Sequence, residues 1–168
     1  MKWILSIAVV VVLVGSAALV LYRERTVERS IEIAATPAEV WRVLVDFDAY
    51  PQWNPFVVHA AAPDGLAVGR GLDVRISDRG SETAFRPEVL IVDVEREIRW
   101  VGKVLITGLL DGEHSFRLEA TAGGTRFTQG ERLSGVLVPL VGSSIDVGDG
   151  FDAMNAALRD RVLATIAR

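Results

Sequence analysis

Apolar and polar residues alternate with a period of two along much of the chain, which is the pattern of half-buried β-strands. The alternation is clearest in residues 26–34, 72–76 and 113–133. It predicts strands at Thr26–Ala34, Phe56–Ala61, Leu72–Ile76, Thr83–Val94, Ile98–Val101, Glu113–Ala120 and Thr125–Leu133. Pro87 lies inside the fourth of these and restricts it to a sheet edge or a bulge, because proline has no N–H to donate to a neighbouring strand.

Two stretches follow helical periodicity instead. The first opens with Thr36, Pro37 and Glu39, a sequence that predicts a capping box with proline in the first turn. The second is a C-terminal apolar stripe, which predicts a helix packed on the sheet. The stripe consists of Leu140, Val141, Ile145, Phe151, Met154, Leu158, Val162 and Ile166. Glycines near its beginning indicate that this helix is kinked or starts late.

Residues 4–21 form a run of 18 residues without a charge. A helix of this length spans about 27 Å, close to the roughly 30 Å of a bilayer's hydrocarbon core. Aromatic and basic residues flank both ends, as they do in membrane-spanning helices. We therefore predict a transmembrane anchor at residues 1–25 and one soluble domain at residues 26–168. A cleaved signal peptide is the alternative, since residues 15–18 are small enough for cleavage, but the apolar run continues beyond them.

The charges around this run bear on which side of the membrane the domain lies. Arg23, Arg25 and Arg29 follow the run and favour a cytoplasmic domain, whereas Lys2 and the terminal amine favour the opposite orientation. We expect a membrane protein with its soluble domain on the cytoplasmic side.

The glycines at 123–124 predict a tight β-hairpin, and its register depends on which two residues form the loop. A Gly123–Gly124 loop places His114 opposite Leu133, whereas an Ala122–Gly123 loop places it opposite Glu131. Both registers give the same two faces. One face is apolar with three polar members, His114, Phe116, Leu118, Phe127, Gln129, Glu131 and Leu133, and it should be the concave inner face. The other face is charged, which suits solvent and cross-strand ion pairs.

His114, Gln129 and Glu131 are the polar members of the inner face, and three interpretations are open. In the simplest, a buried histidine and glutamate satisfy each other's hydrogen bonds. In the second, they orient the polar group of a ligand. In the third, His114 is a general base and Glu131 orients it.

Composition excludes several classes of function. The chain has no cysteine, which excludes disulfides, thiolate metal sites and a cysteine nucleophile. From Val27 onward there are 15 basic and 21 acidic residues, a balance of 15 − 21 = −6, so nucleic acid is not an expected partner. No carboxylate cluster has the spacing of a metal site, and we expect neither a metal nor a cofactor.

Several segments together resemble one known superfamily. They are Thr36-Pro37-Ala38-Glu39-Val40-Trp41, residues 46–56 (DFDAYPQWNPF), Arg99-Trp100, Gly112–Leu118, Gly124–Glu131 and Gly150–Asn155. They are similar to the START/birch-pollen-allergen (SRPBCC) superfamily, in its polyketide cyclase/dehydrase and lipid transport branch, over residues 27–168. The resemblance implies an α+β helix-grip fold, in which a curved antiparallel sheet of six or seven strands surrounds a long C-terminal helix. The space between sheet and helix is then a cavity.

The resemblance and the inner face together predict a membrane-anchored domain that binds a hydrophobic small molecule or lipid, without catalysis. The residues expected to line the site are Phe56, Val74, Phe85, Trp100, His114, Phe116, Phe127, Gln129, Glu131, Phe151, Met154 and Leu158. Two alternatives stay open. One is an enzyme of cyclase or dehydrase type that uses His114 and Glu131, and the other is an interaction module whose cavity is filled.

Overall fold

A computed structural model describes residues 21–141 and 146–167 of the chain. Of the anchor predicted at residues 1–25, residues 1–20 therefore lie outside the described residues. Within the two described ranges, no helix has the length and apolar character needed to cross a membrane. The first strand begins at Arg23, so the domain boundary predicted between residues 25 and 26 falls inside it.

The strands form two antiparallel sheets. They are β1 (Arg23–Ile33), β2 (Val57–Ala61), β3 (Asp73–Asp78), β4 (Ser81–Phe85), β5 (Glu88–Asp93), β6 (Glu97–Lys103), β7 (Asp111–Thr121) and β8 (Gly124–Gly135). One sheet has the order β1-β8-β7-β6-β5 and the other the order β2-β3-β4. An isolated bridge between Gly71 and Glu88 connects the start of β3 to β5.

The helices of the described residues lie between β1 and β2 and after β8. They are α1 (Pro37–Leu44), a 3-10 turn (Phe47–Ala49), α2 (Tyr50–Trp53), α3 (Val138–Val141) and α4 (Gly148–Ile166). The predicted α+β helix-grip architecture is confirmed, with α4 packed mainly on β1 and α1. Its buried face is Phe151, Met154, Leu158 and Val162, which are four members of the predicted apolar stripe. Two other members, Leu140 in α3 and Ile166 at the end of α4, are exposed, and Ile145 lies outside the described residues.

The strand count is the main correction to the predicted fold. The described residues contain eight strands in two sheets rather than six or seven in one, because the long strand predicted at Thr83–Val94 is divided. Arg86 and Pro87 separate β4 from β5, and the two halves belong to different sheets. Proline has no N–H to donate to a ladder and its φ is fixed, so regular pairing is interrupted at this position. An edge or a bulge was predicted for a strand that contains Pro87; Pro87 instead lies between two strands, β4 and β5, each of which is last in its sheet.

Residues 45–56, between α1 and β2, form a sharp corner that directs the chain into β2. Thr36 caps α1 and Glu39 returns to the backbone of Thr36, which confirms the capping box. At the other end of the corner, the side-chain oxygen of Asn54 accepts from the backbone N–H groups of Phe56 (3.0 Å) and Val57 (2.8 Å). This pair of bonds turns the chain sharply and places Phe56 in the interior, where it is 3% exposed.

The β7–β8 hairpin adopts the second of the two predicted registers. Thr121 pairs with Gly124, so Ala122 and Gly123 form the loop and His114 faces Glu131. All members of the predicted inner face are buried except Glu131, which is half-buried. The charged outer face carries the expected cross-strand ion pairs, including those of Arg117 with Glu28 on β1.

Two contacts fix α4 against β1. The side-chain nitrogen of Asn155 donates to the backbone oxygen of Arg29 (3.3 Å), and the guanidinium of Arg29 pairs with Asp152 (3.1 Å). The start of α4 also packs closely on the corner, since Phe151 meets the ring of Phe56 edge to face at 5.5 Å. The space that remains between the three-stranded sheet, β6–β8 and the first turn of α4 is the cavity described next.

Candidate functional site

A cavity of about 270 Å³ lies between the two sheets, at the beginning of α4. Its wall is apolar for most of its extent, and its polar side chains are Thr83, Lys103, His114 and Glu131. This is smaller than most drug-sized ligand sites, which occupy roughly 300–1,000 Å³, but has the same character of an apolar wall with a few polar groups.

The structure divides the twelve residues expected to line the site into two groups. Seven of them line the cavity: Phe56, Val74, Phe85, Trp100, His114, Glu131 and Phe151. The other five are fully buried in the core beside it: Phe116, Phe127, Gln129, Met154 and Leu158. Their inward orientation was predicted correctly from the strand and helix periodicity. They lie deeper than the cavity, where the sheet and α4 are in direct contact and leave no space.

The cavity is also lined by ten residues that were not predicted from the sequence to line it. They are Val57, Ile76, Thr83, Gly102, Lys103, Val104, Leu110, Gly112, Leu133 and Val147. Strand parity was a usable signal for three of them, since Ile76 alternates with Val74, Thr83 with Phe85 and Leu133 with Glu131. Val104, Leu110 and Val147 lie outside the strands and helices, where periodicity gives no information.

A pair of glycines explains why the cavity is open at this position. Gly102 of β6 faces Gly112 of β7, directly beside the cross-strand pair of Trp100 and His114. Two adjacent positions of the inner face therefore carry no side chain. Large residues fill the neighbouring part of the sheet, whereas here only the carboxylate of Glu131, over Gly112, and the ring of Phe85, beside Gly102, border the cavity.

Aromatic rings surround the imidazole of His114. Trp100 stacks on it with ring centres 4.9 Å apart and planes 14° apart. Phe116 and Phe151 meet it edge to face at 4.8 Å and 5.3 Å. His114 is only 6% exposed, and these three aromatic side chains hold it in one orientation.

Both ring nitrogens of His114 lie within hydrogen-bond distance of protein groups. The side-chain amide of Gln129 is 3.2 Å from Nε2. On the other side of the ring, Nδ1 donates to Oε2 of the Glu131 carboxylate at 2.9 Å. Both ring nitrogens are therefore engaged by protein groups, and the histidine positions the carboxylate.

Glu131 is the polar group of this cluster that a ligand can reach. Its side chain is 16% exposed, twice the 8% of the His114 side chain. Oε2 is bound by His114, and Oε1 lies over Gly112, where the absence of a side chain leaves room for it. A carboxylate fixed in this way can accept a hydrogen bond from a hydroxyl or amine of a bound molecule.

Solved structures with the same fold come from bacteria and plants. A structural-genomics protein from Nitrosomonas europaea has a TM-score of 0.66 at 17% identity, over 85% of this chain and 97% of that chain. A START superfamily protein from Mycobacterium smegmatis has a TM-score of 0.59 at 21% identity, over 83% and 98% of the two chains. Norcoclaurine synthase from Thalictrum flavum, solved in complex with dopamine and hydroxybenzaldehyde, has a TM-score of 0.66 at 15% identity, over 86% and 90%.

At these identities the solved structures establish a shared fold and nothing about activity. Comparison with curated proteins gives no match to this chain. The model of one family, described as polyketide cyclase / dehydrase and lipid transport, matches residues 24–166, which is nearly the whole described domain. The chain therefore belongs to the polyketide cyclase/dehydrase and lipid transport family, as the sequence resemblance implied, and it shares its fold with a START superfamily protein.

Proposed function

We propose that this domain binds a compact, largely apolar molecule in its cavity, and that residues 4–21 tether it to a membrane. The observation that carries the proposal is the cavity of about 270 Å³, whose apolar wall has one fixed carboxylate, Glu131. The family is consistent with a hydrophobic ligand. The volume suits a small ring system or part of one lipid chain rather than a whole phospholipid.

The chemistry of the wall indicates what the ligand carries. Glu131 offers an acceptor at one end of an apolar space, and a hydroxyl or amine on the ligand would supply the matching donor. Norcoclaurine synthase, which shares the fold, was solved with dopamine and hydroxybenzaldehyde. Small aromatic molecules with polar substituents are therefore the first class to test, followed by fatty acids and isoprenoids.

An enzyme of cyclase or dehydrase type is the second candidate. It is favoured by the 2.9 Å contact between His114 and Glu131 in the cavity wall, which resembles a base and its orienting partner. The contact between the Gln129 amide and Nε2 argues against His114 as the base, because this nitrogen is not available to a substrate. If proton transfer occurs, the geometry favours Glu131 as the group that exchanges the proton and His114 as the residue that positions it. The third reading, a module with a filled core, is disfavoured by the open cavity.

Native mass spectrometry of the full-length protein, released from a mild detergent, tests the proposal. We expect a co-purifying small molecule, or a mass shift with one class of the panel named above. Thr83→Trp should abolish the shift, because Thr83 is an exposed residue at the cavity edge and a large ring there would close it. Ala84→Trp is the matched control, since Ala84 is exposed on the opposite face of the same strand.

The outcomes separate the candidates. Binding that Thr83→Trp removes and Ala84→Trp keeps supports the cavity as the ligand site. The absence of any bound molecule across the whole panel, or equal binding by both variants, would overturn it. Turnover of a bound compound that is lost in Glu131→Gln while binding persists would favour the enzyme.

A further inference from the structure

Four exposed apolar side chains lie on two segments that backbone hydrogen bonds join, and we call them the apolar tip. Val104, Leu105 and Ile106 lie in the β6–β7 loop and are 47%, 88% and 68% exposed, and Leu140 in α3 is 80% exposed. Backbone hydrogen bonds join the two segments, from the N–H of Val136 to the oxygen of Gly108 (3.1 Å) and from the N–H of Leu137 to the oxygen of Leu109 (3.0 Å). The loop and α3 therefore form one surface. Exposed aliphatic groups in such a cluster mark an interaction site.

The described chain begins next to one of these two segments. Arg23, the first residue of β1, pairs with Gly135, the residue immediately before the segment that joins the β6–β7 loop. Leu21 and Tyr22 precede it and are 52% and 41% exposed. The uncharged run of residues 4–21 thus reaches the domain within two residues of the edge that carries the apolar tip.

The cavity opens towards the apolar tip. Among the residues that line it, Thr83, Lys103 and Val104 are the exposed ones. Lys103 is the last residue of β6, and Val104 belongs to the apolar tip itself. A molecule that enters or leaves between β4 and the end of β6 therefore passes beside the exposed apolar residues.

We propose that the apolar tip is the face of the domain that docks onto a lipid bilayer, so that the mouth of the cavity opens at the membrane surface. This inference rests on the tether in the proposed function. A bilayer that holds residues 4–21 lies next to Arg23, and the apolar tip is at the same edge. Leucine and isoleucine side chains enter the boundary between head groups and acyl chains, while the neighbouring Lys103 can keep its ammonium among the phosphates.

A lipid bilayer fits these observations better than a protein partner. The apolar run that would be embedded in lipid is part of the same polypeptide, so the tip is always presented to that bilayer at high effective concentration. A few aliphatic side chains that would bind membranes only weakly in a free domain are then enough to orient a tethered one. The ligand class proposed for the cavity also partitions into lipid, and docking in this orientation gives it a path that avoids water.

Site-specific probes on the full-length chain test the docking face, because the chain has no native cysteine. Leu105→Cys and Leu140→Cys, each labelled with the fluorophore NBD, are reconstituted into phosphatidylethanolamine and phosphatidylglycerol vesicles. The vesicles are prepared with and without lipids that carry a nitroxide on the acyl chain. Val94→Cys is the matched control, since Val94 is an apolar residue of 62% exposure in the β5–β6 turn, at the opposite end of β6.

We expect the nitroxide lipids to quench the probes at residues 105 and 140 and to leave the probe at residue 94 unquenched. Blue-shifted emission without quenching means that protein covers the tip, either residues 4–21 or a second copy, and overturns the inference. Equal quenching at all three positions also overturns it, because the domain then has no preferred orientation. A chain that does not float with the vesicles overturns the tether and the docking face together.

The ligand experiment fails independently of this one. Quenching at the apolar tip without any bound small molecule leaves the docking face standing and removes the proposed ligand. Ligand binding without quenching at the apolar tip supports the proposed ligand and overturns the docking face.

Discussion

Gly112 of β7 lies against the carboxylate of Glu131 of β8: a Cβ added to Gly112 would be 2.6 Å from Oε1 of Glu131. The other carboxylate oxygen, Oε2, accepts from Nδ1 of His114 at 2.9 Å. Any side chain at residue 112 therefore has to displace the one carboxylate that faces the cavity.

Gly112→Ala should weaken ligand binding far more than it weakens the fold. The methyl group moves the Glu131 carboxylate away from His114, so a ligand loses its fixed acceptor, and we expect about a tenfold loss of affinity. The free energy of unfolding should fall by only about 1 kcal/mol, the typical value of one hydrogen bond. Gly123→Ala in the hairpin loop is the control, since a Cβ there meets no atom within 4 Å. Titrations followed by native mass spectrometry, together with urea unfolding, measure both effects, and unchanged affinity in Gly112→Ala would contradict the role of Glu131.

Glu131→Gln separates the charge of this residue from its shape. The amide oxygen of glutamine can still accept from Nδ1 of His114, so the fold should lose less than about 1 kcal/mol. The amide nitrogen now points a donor towards the ligand, and a ligand hydroxyl or amine should bind roughly 10- to 100-fold more weakly, since hydrogen bonds to charged groups contribute about 1.5–3 kcal/mol. Isothermal titration with the identified ligand measures the change.

Glu113→Gln is the matched control for this experiment. Glu113 lies on the outer face of the same hairpin, where it pairs with Arg99 at 2.8 Å. The substitution also removes one negative charge from the β7–β8 hairpin, but Glu113 does not line the cavity. If both variants lose affinity equally, the effect of Glu131→Gln is a general effect of net charge and the carboxylate has no specific role.

Gly150→Ala reverses the usual expectation for a glycine in a helix. Alanine normally stabilises a helix relative to glycine by about 1 kcal/mol. Here a Cβ at residue 150 would overlap Cδ2 of Phe56, a buried ring that also packs on Phe151. Because Phe56 cannot move without opening the corner, we expect a net destabilisation of about 1–3 kcal/mol. Urea unfolding measures this change in the free energy of unfolding.

Ala153→Gly, at an exposed position of the same helix, is the control and should show the ordinary loss of about 1 kcal/mol. A stabilised Gly150→Ala would show that the ring of Phe56 relaxes freely.

Most of the fold could be predicted from the sequence because it depends on interactions between residues close together in the chain. The capping box needs only Thr36 and Glu39 at the right spacing, because its hydrogen bonds are made within one turn. The inner face of the hairpin follows from strand parity, which is the same in either register, so the inward position of His114 and Glu131 did not depend on the loop. The direct pairing of these two residues did depend on it, and the sequence left both registers open.

The extent of the cavity could not be read in the same way, because it depends on which inward residues touch one another across the domain. Phe116 and Trp100 face inward on neighbouring strands, yet only Trp100 borders the cavity. The difference arises because Gly102 faces Gly112 in one part of the sheet, whereas α4 fills the other. Similarly, the division of β4 from β5 at Pro87 places Phe85 in the second sheet, a tertiary outcome that alternation alone does not show.

The buried hydroxyl of Tyr50 makes the free energy of unfolding depend on pH in the alkaline range. It is fully buried, and its hydroxyl donates to the backbone oxygen of Leu44 at 2.6 Å. Burial, together with the nearby charge of Asp46, raises the pKa of Tyr50 well above its ordinary value of 10.0. Above about pH 10 the unfolded chain therefore releases a proton that the folded protein keeps. The free energy of unfolding is unaffected by this group below that pH and falls as the pH rises above it.

Tyr50→Phe should change both the size and the pH dependence of stability. At neutral pH the variant leaves the Leu44 oxygen without its donor and should lose about 1–2 kcal/mol. Above about pH 10 the advantage of the wild type should shrink by up to roughly 1.4 kcal/mol per pH unit, because only the wild type carries the titrating hydroxyl. Urea unfolding at a series of pH values from neutral to alkaline measures the difference.

Tyr22→Phe, at a residue that is 41% exposed, should keep the slope of the wild type. A difference between wild type and Tyr50→Phe that stays constant across the range would mean that the buried hydroxyl ionises as easily in the folded protein as in the unfolded chain.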